Sequence, residues 1–320
     1  MTVILAGDVG GTKTLLCLAT ETPNGVQTYQ KHYVTSDYAT LGDMVRDFLS
    51  DGGAHPEVAC FGVAGPVLEN SATLTNVDWH ISALELEREL DIPQVTLIND
   101  FAAIAYGILK LTPQDLLCLQ AGQPVPQAPI AVLGAGTGMG QAYLTWSGQG
   151  YQAHHSEGGH TDFAPRNATE LAVLQTLWQR YERVSVEHIV SGQGIVNIYS
   201  ALGGQAIPAG RDQAAIIAQA GSAGTDPIAV KTMELFASAY GAEAGNLALK
   251  LLPYGGLYVA GGIAPKILPW LTTGDRFLQA MQSKGKLGKL LQDIPTYIVL
   301  NAEVGLLGAW YCAQQLLHTA

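Results

Sequence analysis

The chain has 320 residues, 48% of them hydrophobic, and carries a formal net charge of -11. That length exceeds what one compact core usually takes, so two domains are expected. The acidic balance lacks the basic footprint of a nucleic-acid binder, yet it leaves nucleotides open, because backbone N–H groups hold phosphates without basic side chains. The four cysteines, Cys17, Cys60, Cys118 and Cys312, are far apart, with no CxxC pair and no clustered histidines. They read as reduced, buried thiols rather than as a zinc site or a disulfide framework. No signal-like segment precedes the first strand-like run, and no apolar stretch reads as a membrane span, so a cytoplasmic protein with no membrane partner is expected.

In chain order, VILAG (3–7) is a short continuous apolar run, as expected of a strand covered on both faces. TLLCLAT and VQTYQKHYV follow as strands, and LGDMVRDFLS as a helix. VACFGVAG (58–65) is a further buried strand. SALELEREL reads as an amphipathic helix with Ser82 as its N-cap and Glu85 at the capping-box position. VTLI is a strand, and DFAAIAYGIL a helix capped by Asp100. Three strands followed by alternating helices and strands predict an α/β fold. Residues 111–129, rich in Pro and Gln, read as a domain connection. The opening theme then returns in IAVLGAGTGMGQAYLTW, a buried strand, a glycine turn and a second strand, with GYQAHH as a third. Residues 168–252 are mostly helical; LYVAGGIAP (257–265) and TYIVL are strands, and VGLLGAWYCAQQLL is a closing helix.

GDVGGTKT (7–14) has the look of a P-loop, but the residue before Lys13 is Thr12 where a P-loop needs glycine, and a strand follows where a P-loop needs a helix. GAGTGMG (134–140) likewise fails the dinucleotide fingerprint and leads into a strand. Two strand–turn–strand units point instead to tight hairpins whose bare backbone approaches an anion closely. An ordinary hairpin would account for either one alone; the pair together with Asp8 favours phosphate. A carboxylate beside a phosphate grip needs a cation between them, so Asp8 implies Mg2+, held through water.

The ordered set GDVGGTKT, FGVAGPV (61–67), LTNVDW (74–79), INDFAA (98–103), GAGTGMG, SEGGHTDFAP (156–165), HIVSGQGIVNIY (188–199) and VAGGIAPK (259–266) resembles the bacterial glucokinase family of the actin/hexokinase sugar-kinase superfamily. The related repressor/kinase group carries a zinc-binding cysteine cluster after its EGGH-like segment, and EGGHTDFAPRN has none, which places the resemblance on the zinc-free branch. The resemblance implies two RNase-H-like (actin-like ATPase) domains with a cleft between them. A small α/β domain would comprise residues 1–110 plus 301–320 and a larger α+β domain residues 111–300, with hinges near 108–112 and 300–304. ATP with Mg2+ would lie on Gly7, Asp8, Val9, Gly10, Gly11 and Thr12 and on Gly136, Thr137 and Gly138, with adenosine against Gly261 and Gly262. Glucose would contact Asn76, Asn99, Asp100, Glu157, His160 and Glu187.

Asn and Asp are preferred helix caps, which alone would explain Asn99-Asp100. The resemblance makes Asp100 the base for the sugar 6-hydroxyl. Helix-terminal N–H groups favour its ionised form, and its main task would be to aim that hydroxyl at the γ-phosphate. A ring of buried polar partners rejects analogues lacking a hydroxyl, and closure of a two-domain plan expels water, the competing nucleophile. The arginines of TLWQRYERV (176–184) read as a solvated helix face and KGKLGKLL (284–291) as a surface turn. The resulting expectation is an ATP-dependent glucokinase, homodimeric by resemblance. A kinase for another hexose and a non-catalytic sugar-sensing protein are the alternatives. A sensor that binds DNA would need a helix-turn-helix, for which the sequence leaves no room before the first hairpin.

Overall fold

A computed structural model of the chain describes residues 2–22, 25–74, 77–208 and 210–319. The chain folds as two compact units: residues 1–112, 152–155 and 301–320 form the first, and residues 113–151 and 156–300 the second. The first unit contains, in order, β1 (Val3–Val9), β2 (Lys13–Thr22), β3 (Gly25–Val34), α1 (Leu41–Gly52), β4 (Val58–Val63), β5 (Val67–Leu68), β6 (Ser71–Leu74), β7 (Trp79–Ser82), α2 (Ala83–Leu90), β8 (Gln94–Asn99) and α3 (Asp100–Ile108). The chain continues through β9 (Leu116–Gln120), β10 (Ile130–Ala135), β11 (Met139–Trp146), β12 (Tyr151–Ser156), α4 (Ala168–Leu177), α5 (Gly192–Ala201), α6 (Gln213–Ala223), α7 (Pro227–Leu251), β13 (Gly256–Ala260), α8 (Leu268–Thr272), α9 (Arg276–Gln282), α10 (Gly288–Leu291) and β14 (Thr296–Val299). It returns to the first unit with α11 (Val304–Thr319).

The sheet of the first unit has the order β3-β2-β1-β4-β8. β1 and β2 are antiparallel, as are β2 and β3, whereas β4 runs parallel to β1 and β8 parallel to β4. In the second unit β11-β10-β13-β14 repeats this plan, with β10 and β11 antiparallel, β13 parallel to β10 and β14 parallel to β13. The α/β reading and the internal echo between halves are both present, and two RNase-H-like units are the physical form of that echo. β1, β4, β10 and β13 are apolar nearly throughout because helices cover such strands on both faces.

Several elements differ from the sequence reading. Asn99, not Asp100, caps α3: its Oδ1 accepts from the N–H groups of Phe101 and Ala102, and Asp100 is the first helical residue. Within residues 111–129, LLCLQ forms β9 on the edge of the second sheet, antiparallel to β14. Five residues between Pro- and Gln-rich flanks are too few to show a period. The small sheet β5-β6-β7 is illegible in the sequence for the same reason. Ser82 does cap α2, accepting from Glu85 N–H. Cys17 and Cys60 are buried free thiols as expected, but Cys118 on the edge strand β9 is exposed. Among the described residues no helix is long and apolar enough to cross a membrane.

Each unit has its own apolar layers. Residues of β1, β2 and β4 pack on one face against α1 and α2 through Phe48, Phe61 and Leu86, and on the other against α11 through Leu306, Ala309 and Ala313. The long helix α7 lies under the second sheet, with Phe236 and Tyr240 in its core. α3 and α11 meet backbone to backbone: a Cβ at Gly107 would collide with the Val304 carbonyl, and one at Gly308 with that of Ala103.

Candidate active site

The hairpin between β1 and β2 is fastened from the end of β3. Thr35, fully buried, donates its hydroxyl to the Gly10 carbonyl at 2.8 Å and its N–H to the Thr12 carbonyl at 3.0 Å. Its Oγ1 also lies 3.0 Å from Thr14 Oγ1. Gly10 N–H closes the turn on the Lys13 carbonyl at 3.1 Å, leaving too little room there for a side chain. Gly11 is half-buried and Thr12 exposed, as an anion-facing turn requires. Asp8 stands beside it on β1, paired across the ladder with Gly62. Its carboxylate faces Gly305 of α11, where a Cβ would approach Oδ2 to 2.9 Å. Burial raises the Asp8 pKa to about 6. Loss of water is what drives that shift, and a bound divalent ion would offset it. The half-buried carboxylate thus fits a cation held mostly by water and phosphate oxygens.

On the edge strand of the same sheet, Asn99 and Asp100 cross from β8 into α3. Asn99 Nδ2 donates to the Gly65 carbonyl at 2.9 Å, which leaves its second N–H for another acceptor. Asp100 Oδ1 accepts from Phe101 N–H at 2.8 Å. Asn76, a candidate sugar contact, lies outside the described residues.

In the second unit the hairpin Gly136-Thr137-Gly138 closes through Gly136 N–H to the Gly138 carbonyl at 2.8 Å. It is tied to α5 by Gly192 N–H, which donates to the Gly136 carbonyl at 2.9 Å, and to the turn after β13 by Ile263 N–H, which donates to the Ala135 carbonyl at 3.2 Å. Gly261 has φ +81 and passes over Ala135 so closely that a side chain there would meet the Ala135 carbonyl; the left-handed turn and the close approach each require glycine. A cavity of about 590 Å3 opens between these turns and α6, lined by Gly136, Thr137, Gly262, Ile263, Lys266 and Ala215 among others. No atom lies within 4 Å of where a Gly262 Cβ would stand, so that glycine faces open space.

The SEGGH segment folds as a tight turn against β11. A Cβ at Gly158 would collide with the Gln141 amide and one at Gly159 with the Met139 carbonyl, so the two glycines let the turn lie flat. The turn is laced to the segment before α5: Phe163 N–H donates to Val184, Val186 N–H to Thr161, and Glu187 N–H to Gly159. This lacing brings Glu157, His160 and Glu187 together across about 30 residues of sequence. His160 Nε2 lies 3.9 Å from Glu157 Oε2, and both side chains are exposed. Glu187 Oε2 accepts from Met139 N–H at 2.8 Å, directly beside the glycine hairpin. The neighbouring His188 stacks on Tyr181 at 4.0 Å and accepts Ser185 N–H on Nδ1. Burial lowers its pKa, which favours the neutral imidazole.

The family model described as Glucokinase matches residues 5–316. The chain belongs to the glucokinase family. A curated glucokinase from Nostoc sp. is 49% identical over 344 residues, covering 99% of this chain and 100% of the relative. A crystal structure of a glucokinase from an Antarctic psychrotroph superposes with TM-score 0.86 at 31% identity, covering 98% of this chain and 99% of the other. A ROK family glucokinase from Streptomyces griseus, solved with glucose and AMPPNP, superposes with TM-score 0.66 at 20% identity over 98% of this chain and 99% of that one, a likeness in fold. The glucokinase fold, with its two actin-like ATPase domains, accounts for the repeated β plan of the two units.

Several residues with structural roles are not evident from the sequence. Arg183 is exposed but lies beyond the helix, since α4 ends at Leu177, and its Nη1 donates to the His160 carbonyl at 2.6 Å and to Asp162 at 2.9 Å, holding the SEGGH turn. In KGKLGKLL, Gly285, Lys286, Leu287 and Lys289 are exposed as expected of a surface turn, whereas Lys284 is half-buried and donates to the Ala242 carbonyl at 3.0 Å, and burial lowers its pKa. Thr35 and Gln141 also support the turns, and neither lies in a recognisable motif. Gln141 alternates inward on a strand and is 2% exposed, and a glutamine at an inward position of an otherwise apolar strand is the signal that could have found it. Among the described residues no group of three or more metal-ligating side chains clusters.

Proposed function

We propose that the chain transfers the γ-phosphoryl group of ATP to the 6-hydroxyl of glucose. One observation carries this reading. In the second unit, Glu187 shares a hydrogen bond with the first residue after the glycine hairpin, so a polyol-binding set and a phosphate-binding turn are one connected structure. Both halves of that pair are needed for a sugar kinase and for little else. Family membership and the relatives' names support glucose and ATP as the pair.

Glu157, His160 and Glu187 offer acceptors and a donor to the sugar hydroxyls, and Asn99 offers its second N–H to a neighbouring one. Asn76 belongs to the same proposed set. Asp100 accepts the 6-hydroxyl hydrogen and aims the oxygen, so that attack on phosphorus begins from an oriented partner. As phosphorus moves from the ATP oxygen to the sugar oxygen, Asp100 takes up the hydroxyl proton. The turns at Gly10–Thr12 and Gly136–Gly138 supply N–H donors to the phosphates, with Gly7 and Val9 shaping the first. Adenosine lies in the cavity beside Gly261 and Gly262. Asp8 would hold Mg2+ through water, and the ion when bound neutralises phosphate charge. The functional division is a small domain of residues 1–110 plus 301–320 and a large one of 111–300. A cytoplasmic homodimer completes the proposal.

Coupled assays across hexoses test the substrate: glucose is expected to give the highest kcat/KM, and a better alternative hexose would overturn the assignment. Asp100→Ala is expected to lower kcat by at least about 100-fold, the lower range for positioned general-base chemistry, while calorimetry still detects glucose binding. Near-normal turnover would remove Asp100 from its role.

A further inference from the structure

We infer that Tyr240 is a positioning residue for the nucleotide, setting the spacing of the turn after β10 and the turn after β13 at the mouth of the cavity. Tyr240 is completely buried near the middle of α7. Its ring is seated edge-on between Phe236 at 5.9 Å and Phe277 at 5.7 Å. Its hydroxyl accepts from Ala135 N–H at 3.0 Å and donates to the Ala260 carbonyl at 3.3 Å. Burial pushes its pKa upward, which keeps the donating proton in place.

The position of that hydroxyl gives it meaning. Gly134 and Ala260 are the last register pair between β10 and β13. The next rung of a parallel ladder would draw the strands to about 4.8 Å. Here one oxygen is spliced into the rung, so the Ala135 N–H and the Ala260 carbonyl are both satisfied through the hydroxyl rather than by each other, while Ile263 N–H on the Ala135 carbonyl keeps the two turns joined just beyond. Immediately beyond, Gly136 and Thr137 leave one side and Gly262 and Ile263 the other, and the cavity lies between them. A phenylalanine would fill the same volume without the cost of burying a hydroxyl. The hydroxyl is there as a spacer.

This inference rests on the proposal that the two turns face ATP, and the test separates the two. Tyr240→Phe keeps the ring and leaves a buried N–H and C=O to pair with each other, narrowing the mouth, or to go unmet. The expected result is a KM for ATP about tenfold higher with the KM for glucose unchanged within about twofold. Thr296→Val is the matched control. It removes another buried hydroxyl, bonded to the Ile294 carbonyl at 3.2 Å, and is expected to lower Tm without moving either KM. Phe277→Leu loosens the ring's seat and is expected to give a smaller, equally ATP-selective rise of about threefold; it decides the matter should Tyr240→Phe not fold. Equal rises in both KM values, or a fall in Tm alone, would overturn the spacer role. Gly262→Val puts a side chain into the cavity itself. If it leaves the ATP KM untouched, the nucleotide reading of the turn fails; if it raises that KM and Tyr240→Phe does not, only the spacer inference fails.

Discussion

The hairpin at Gly10–Thr12 and the hairpin at Gly136–Gly138 follow the same strand plan but are built for different loads. The first carries a charge, because Asp8 stands one ladder pair before its turn. The corresponding place before the second turn is Gly134, where a Cβ would come within 2.8 Å of the Ala260 backbone. The neighbouring parallel strands show the reverse: Gly62 opposes Asp8, and Ala260 opposes Gly134. Of the two corresponding places, only the first carries a carboxylate. The first hairpin is fastened by Thr35, just past β3, and by Ala64 N–H, which donates to the Val9 carbonyl at 3.1 Å, whereas the second is bound through α5, α7 and the turn after β13. One fold thus gives an acidic, lightly tethered turn and a neutral, heavily tethered one that walls a cavity.

The difference in charge makes the largest prediction. Asp8→Asn is expected to abolish most activity and yet stabilise the metal-free, nucleotide-free protein at pH 7. The folded-state pKa, about 6, lies above the ordinary carboxyl value of 3.8 that the unfolded chain takes, so between those limits the folded chain holds the extra proton. Stability from that proton is complete below about pH 4 and is lost as pH rises through about 6. Urea unfolding is expected to show the variant ahead by about 3 kcal/mol at about pH 7 and level with its parent at about pH 4. A constant difference across that range would locate the effect elsewhere. The difference in tethering comes next. Thr35→Val removes the one hydroxyl fastening the first hairpin, and at about 1–2 kcal/mol for the unmet groups the KM for ATP is expected to rise about tenfold. No change would show that the turn is rigid without Thr35. The smallest effect concerns neither hairpin. Arg183→Met frees the His160 carbonyl at an exposed site, and the KM for glucose is expected to rise about threefold with that for ATP unchanged. An equal change in both would mean that the SEGGH turn and the second hairpin move as one body.

The strands, the glycine turns and the repeat were legible in the sequence, since continuous apolar runs ending in glycine have few other readings. Of the site, the turn residues and the cluster of Glu157, His160 and Glu187 followed from resemblance, and the structure brings those three together through the lacing of two distant segments. What stayed hidden is the support. Thr35, Gln141, Arg183 and Tyr240 act by reaching a backbone group or a turn that sequence spacing does not place, and each belongs to a residue type common on any surface or in any core. The cap of α3 falls one position earlier than the sequence suggests because Asn and Asp are near-equal caps, and the backbone at Asn99, extended at ψ 147, decides between them.

The crossing of α3 and α11 has a consequence for how the protein is made. Ile4, Ala6, Val58 and Cys60 are sealed by Leu306, Ala309 and Ala313, which leave the ribosome after the whole second unit. About 195 residues separate the end of α3 from α11, and at ~5–20 residues per second the wait is roughly 10–40 s. During that interval the first sheet has one bare apolar face, while the second unit, continuous but for one short excursion, can already fold. A nascent chain of this protein is therefore a half-finished client for chaperones, sticky on one identifiable surface and sound on the other.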